Sequence, residues 1–230
     1  MPGHKIKLLK KETVAKGTMA FHFEKPAEFV FVPGQYADLA IINPKETDRE
    51  GNIRTFTIAS APGEKDLVFA TRMRDTAFKR ELDRMPEGTA IEMDGPYGSF
   101  TLHAKKEKPA VFIAGGIGIT PFMSILTSAA EEKLNRKFFL FYSNRTENDA
   151  AFLRELSGLT AEIPDFTFVP IMSEREGYLN EKTIRKYVEN IDGPIYYLAG
   201  PPGMVAAMRK MLAGMNIPED DIRFEEFAGY

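Results

Sequence analysis

Residues 109–126, Pro-Ala-Val-Phe-Ile-Ala-Gly-Gly-Ile-Gly-Ile-Thr-Pro-Phe-Met-Ser-Ile-Leu, limit the fold of this chain more than any other stretch. Val111, Phe112 and Ile113 form an unbroken apolar run, the pattern of a strand covered on both faces. Gly115, Gly116 and Gly118 follow at once, so the stretch reads as strand, tight turn, helix. Thr120 is the expected N-cap of that helix and Pro121 suits its first turn. Glycines let main chain approach a ligand closely, and a helix N-terminus favours an anion, so the turn is a candidate phosphate site. Its spacing is not Gly-x-Gly-x-x-Gly, and an ordinary βα turn has the same composition.

The texture of the chain changes on either side of this stretch. Before residue 104, short β-prone runs cover residues 5–13, 18–24, 35–42, 54–59, 67–73 and 89–93. Breakers such as Lys16-Gly17, Pro33-Gly34, Asn43-Pro44 and Pro62-Gly63 separate them. Six strands at this spacing predict a closed or nearly closed antiparallel barrel, with one helix over 76–84. After the charged segment Lys105-Lys106-Glu107-Lys108, strands near 111–113, 138–142, 166–171 and 195–198 alternate with helices over 120–133, 148–156, 180–189 and 202–213. That alternation predicts a doubly wound parallel sheet, whose ligands bind beyond the carboxyl ends of its strands. The 230 residues suffice for two such units, 1–104 and 105–230.

Composition removes several functions. A net charge of −3 gives no general attraction to nucleic acid or anionic membrane. With no cysteine there is no disulfide, thiolate-held cluster or catalytic thiol, and His4, His22 and His103 stand too far apart to suggest a metal. The most apolar stretch, 110–126, is shorter than the ~20 residues of a membrane span, and the first 20 residues lack a signal-peptide core, so the expected location is the cytoplasm.

Within the barrel half, Arg54-Thr55-Phe56-Thr57-Ile58-Ala59-Ser60 gathers an arginine, an aromatic and small hydroxyls, a set suited to a phosphate and a flat ring. A half-buried strand with one exposed arginine has the same pattern. Five motifs in order then carry a resemblance: Pro33-Gly34-Gln35-Tyr36, Arg54-x-Phe56-Thr57-x-x-Ser60, Gly95-Pro96-Tyr97-Gly98-x-Phe100, Gly115-Gly116-x-Gly118-x-Thr120-Pro121 and Gly200-Pro201-Pro202-x-Met204. Together they span nearly the whole chain, which resembles the ferredoxin–NADP reductase superfamily.

The resemblance implies an FAD-binding barrel followed by an NAD(P)-binding α/β unit. It places Arg54 on the FAD pyrophosphate, Phe56 against the isoalloxazine or ribityl chain, and Thr57 near flavin N5, with Thr55 beside them. Thr76 would cap the helix facing the flavin phosphate, with Arg72, Arg74 or Lys79 supplying charge where relatives commonly place glycine and Ser or Thr. The Gly115–Thr120 turn would hold the nicotinamide dinucleotide's pyrophosphate, and Gly200 and Pro201 would border the nicotinamide. Ala199 stands where many relatives have cysteine. Near the C-terminus, acidic Glu226 precedes Phe227, which would cover the flavin's other face, a place Tyr230 could also take.

Ser143, Arg145 and Arg175 favour NADPH, while Glu147, Asp149, Glu174 and Glu176 leave NADH open. The implied activity is electron transfer from NAD(P)H through FAD to a ferredoxin, a flavodoxin or an oxygenase component. The alternatives are reduction of free flavin and a non-catalytic nucleotide-binding subunit.

Overall fold

The computed structural model describes residues 3–227. In the first half β1 (His4–Ala15), β2 (Thr18–Glu24), β3 (Tyr36–Ala40), β4 (Ile53–Thr57), β5 (Asp66–Arg72) and β6 (Ala90–Tyr97) pair antiparallel in the order β4-β3-β6-β1-β2-β5. The two edge strands meet through an Ile58–Phe69 bridge and an Ala59 N–H donating to the Val68 carbonyl at 2.8 Å, so the sheet closes on itself. Alternate residues point inward, Ile6, Leu8, Phe21, Phe23, Leu39, Phe56, Ile58, Phe69 and Met93 among them. Helix α1 (Ala77–Arg84) packs Phe78 and Leu82 against this core, and the Thr76 side chain caps it by accepting from the Lys79 amide at 3.4 Å.

In the second half β7 (Ala110–Gly115), β8 (Phe138–Asn144), β9 (Phe166–Met172), β10 (Ile195–Gly200) and β11 (Ile222–Glu226) run parallel in the order β11-β10-β7-β8-β9. Every residue of β7 and β10 is buried, which is why those segments carry no alternation. One face of the sheet meets α2 (Thr120–Glu131) and α3 (Leu153–Glu162), where Phe112, Leu140 and Tyr142 pack with Phe122, Leu126 and Leu156. After the short α4 (Ser173–Glu176), α5 (Glu181–Tyr187) and α6 (Pro202–Gly214) cover the other face, where Val111, Ile113 and Phe139 pack with Ile184, Val205 and Leu212. No helix among the described residues is long and apolar enough to cross a membrane.

The core beside α2 is shared by the two sheets. Ala20, Ala70 and Phe100 of the first half pack into the same cluster as Ile119, Phe122 and Phe112, and the Ser124 hydroxyl donates to the Ser60 carbonyl at 2.7 Å. A polar knot closes the seam near residue 103. The Tyr197 hydroxyl lies 2.8 Å from both the amide and Nδ1 of His103, Nε2 of His103 faces the Lys108 carbonyl at 3.1 Å, and Arg136 donates to the His103 carbonyl at 2.9 Å. Burial pushes the imidazole pKa down to about 4, so its neutral form fills the knot.

Three sequence expectations are corrected. The helix expected over 148–156 starts at Leu153, because Phe152 is left-handed (φ 59°) and Thr146 with Asp149 closes a separate capped turn before it. Thr120 is not an N-cap: a 3₁₀ turn over Gly116–Ile119 runs directly into α2, and the Thr120 hydroxyl donates back to the Ile117 carbonyl at 3.1 Å. The edge strand β11 had no counterpart in the reading, since charged Arg223, Glu225 and Glu226 interrupt its apolar pattern.

Candidate active site between the two sheets

Two cavities flank the turn that follows β7. The smaller, about 200 Å³, is lined by Tyr36, Thr55, Phe56 and Thr57 from the barrel, Thr120 from α2, and Glu225, Glu226 and Phe227 from β11 and its end. Thr57 is buried and lies opposite Tyr36 in the β3–β4 register. Phe56 turns most of its ring into the core, 5.8 Å from Phe78. Phe227 is fixed by its amide, which donates to the Gly200 carbonyl at 3.0 Å. Tyr230 lies outside the described residues.

Glu225 was not singled out in the sequence, and strand geometry explains why it matters. Successive residues of β11 face opposite ways, so Glu226 is exposed while Glu225 Oε2 is buried with no hydrogen-bond partner. Burial pushes its carboxyl pKa up to about 7. A buried acid that titrates near neutrality can hold or release a proton at the cavity wall.

Arg54 anchors the other end of the barrel side. Its Nη1 donates to the carbonyls of Glu50, Gly51 and Ile53 at 3.0, 3.0 and 2.8 Å, and Nη2 pairs with Asp48 at 3.1 Å and Glu50 at 2.9 Å. The second oxygen of Asp48 accepts from the Ala77 amide at the head of α1, at 3.0 Å. One carboxylate therefore spans the guanidinium and the helix N-terminus, a stand-in anion where a phosphate has the same donors to meet. By that measure the corner fits a phosphorylated flavin.

The cations of α1 are otherwise engaged, while Arg74, ahead of the helix, is exposed. Arg80 pairs with Glu46 and Asp75, Arg84 with Glu46, and the Lys79 ammonium donates to the Arg72 carbonyl at 2.7 Å, with burial drawing its pKa down to about 8. Arg72, at the end of β5, lines the second cavity together with Gly115 and Gly116. That cavity has a volume of about 600 Å³ and is bounded by the ends of β7 and β8 and the start of α6.

Gly116 and Gly118 do different things there. Gly116 adopts φ +54° and faces open space, so it presents main chain to the cavity. A Cβ on Gly118 would run into the Ala199 carbonyl, so that glycine serves the packing of turn on strand. The Tyr142 hydroxyl pins the turn by donating to the Gly116 carbonyl at 3.1 Å. At the end of β8, Ser143, Asn144 and Arg145 line the cavity; both amide atoms of Asn144 are buried without a hydrogen-bond partner. Arg145 pairs with Glu174 at 2.7 Å, and Arg175 with Glu176 at 2.6 Å and Glu147 at 3.9 Å. Pro201 borders the cavity, and Tyr178, 82 % exposed, stands at its rim.

Residues 5–102 match the family described as oxidoreductase FAD-binding domain, and residues 112–210 the family described as oxidoreductase NAD-binding domain. The reductase component of propane 2-monooxygenase from Rhodococcus jostii (strain RHA1) is 31% identical over 215 residues, which is 88% of this chain and 57% of that protein. The electron transfer component of anthranilate 1,2-dioxygenase from Acinetobacter baylyi (strain ATCC 33305 / BD413 / ADP1) is 29% identical over 94% of this chain and 64% of its own length. The chain thus spans about three fifths of these curated relatives. Among solved structures, the Amycolatopsis cytochrome P450 reductase GcoB superposes with a TM-score of 0.82 at 24% identity, covering 98% of this chain and 70% of that one. A ferredoxin NADP+ reductase from Neisseria gonorrhoeae with bound FAD and NADP gives 0.83 at 19% identity, covering 98% and 99%.

Proposed function

Because this chain belongs to the ferredoxin–NADP reductase superfamily, we propose that it draws two electrons from a nicotinamide dinucleotide through FAD and delivers them to a separate redox protein. The single observation carrying this reading is the pair of cavities at the β7–α2 connection, one lined by Thr57, Thr120 and Phe227 and the other by Gly115 and Gly116. FAD when bound supplies the exchange between hydride and single-electron chemistry, which no side chain here can perform.

Arg54 and the head of α1 would take the flavin pyrophosphate. Thr57 would sit at the reacting edge, and Phe227 would exclude water from the opposite face. Glu225, with its raised pKa, would hold the proton that balances charge at the cavity wall. Across the turn, Gly116 and Arg72 would receive the dinucleotide's pyrophosphate, and Pro201 would border the nicotinamide. Arg145 is the group available to a 2′-phosphate, in keeping with NADPH, and its pairing with Glu174 keeps NADH in contention.

These 230 residues contain no cysteine and hold no thiolate-bound cluster, so the acceptor lies outside them. The relatives named as reductase and electron transfer components support an oxygenase component, a ferredoxin or a flavodoxin as that acceptor. Under this reading residues 1–104 carry the flavin, residues 105–230 carry the dinucleotide, and the protein works in the cytoplasm.

The test is the visible spectrum of the purified protein, followed anaerobically as NADPH or NADH is added. A yellow protein bleached by one of them is the expected outcome. A colourless protein that reduces added flavin would move the reading to a flavin reductase; a protein that neither binds nor reduces flavin would remove the enzymatic reading.

A further inference from the structure

The loop between β3 and β4 is strapped along α1. Glu46 pairs with Arg80 at 2.6 Å and with Arg84 at 3.2 Å, and the Lys45 amide donates to Glu81 at 3.1 Å. At the far end of the strap, Asp48 closes on the Ala77 amide and on Arg54. The Arg54 guanidinium then has three carbonyls and two carboxylates of residues 48–53 around it. Its side chain is only 17% exposed, whereas Asp48 is 32% and Glu50 71% exposed. The cation is thus fixed in the wall and its anionic partners sit on the solvent side.

We propose that Asp48 is an internal competitor for the flavin phosphate: FAD binds by displacing this carboxylate from Arg54 and from the head of α1, releasing residues 48–51 while Glu46 stays anchored. This rests on the FAD reading above. The oxygens of the phosphate would take over the Ala77 amide and the Arg54 N–H groups that Asp48, Glu50 and Gly51 release, so no buried cation is left unpaired. Gly51, at φ +73° with open space around it, provides the backbone freedom for the segment to swing out. The carboxylate lowers flavin affinity by the fraction of molecules in which it holds the corner, and it keeps the corner satisfied before flavin arrives.

Two measurements test this on the full chain freed of flavin. The first is FAD affinity, read by quenching of flavin fluorescence in the wild type and in Asp48→Asn. Removing the competing charge should tighten binding by about tenfold, the scale of one charge-assisted hydrogen bond. The second uses wild-type protein alone: trypsin cleavage after Arg49, an exposed residue of the strap, should speed up on adding FAD and also on adding inorganic pyrophosphate, which carries the anion without the ring.

FAD that protects Arg49 or leaves its cleavage rate unchanged would overturn the displacement, as would an Asp48→Asn variant that folds but binds FAD more weakly. Wild-type protein that quenches no flavin fluorescence would overturn the FAD reading and this inference together. FAD bound with no change in the strap would overturn this inference alone.

Discussion

Around Arg54 the proposed anion corner is made of side chains and a loop, whereas the one proposed around Gly116 is made of main chain. The first assembles a guanidinium, a helix N-terminus and a movable carboxylate, so its strength depends on charge and its geometry can adjust. The second depends on Gly118, pressed against the backbone of Ala199 and Gly200 where shape leaves no room for adjustment, and on Gly116, whose positive φ turns main chain to the cavity. A charge-built corner should tolerate substitution as a graded loss of affinity. A shape-built one should fail as a loss of fold.

The sharpest way to break that contrast is Gly118→Ala. Its Cβ meets the backbone of Ala199 and Gly200, which have nowhere to move, so the variant should lose about 3 kcal/mol of stability and melt roughly 6–12 °C lower. Thermal unfolding at neutral pH decides it, and an unchanged midpoint would mean the turn is less confined than it looks. Next comes Arg54→Ala, expected to weaken FAD binding about thirtyfold, near 2 kcal/mol, while leaving the binding of NADP+ to the FAD-saturated protein unchanged. Titration calorimetry with both ligands would erase the comparison if the two affinities fell together.

Gly116→Ala should cost less, about 1 kcal/mol, because its φ of +54° strains an alanine without any steric clash. A melting midpoint roughly 2–4 °C lower is the expected reading.

The smallest effect concerns protons. The Glu225 pKa is raised from about 4.5 to about 7, so the stability tied to its protonated form is full below pH 4.5 and is lost as pH rises through 7. Glu225→Gln should therefore melt about 2–4 °C above wild type at pH 8 and level with it at pH 4. The opposite ordering would place the carboxyl in contact with an unrecognised cation.

Much of this architecture was legible because burial leaves a signature in composition. Strands β7 and β10 lie under helices on both faces and read as continuous apolar runs, and the barrel strands fell within a few residues of their predicted bounds. Strand β11 was not legible, since an edge strand needs only partial cover and can carry Arg223, Glu225 and Glu226. Missing it concealed the alternation that separates Glu225 from Glu226. Asp48 escaped for a different reason: an aspartate in a charged loop looks solvated, and only the fold brings it to Ala77, 29 residues away. Arg72 was noticed for its charge, but that it lines the cavity beside Gly115 and Gly116 follows from how the two sheets meet and not from its place in the sequence.

The hydrogen bond between the Phe227 amide and the Gly200 carbonyl has one more consequence. It ties the last described residue of the chain to the junction between β10 and α6, at the border of the larger cavity, while the ring of Phe227 closes the smaller one. The chain's last described residue is therefore held in register with the residue that precedes Pro201, so a substitution that loosens this one bond is felt along the walls of both compartments.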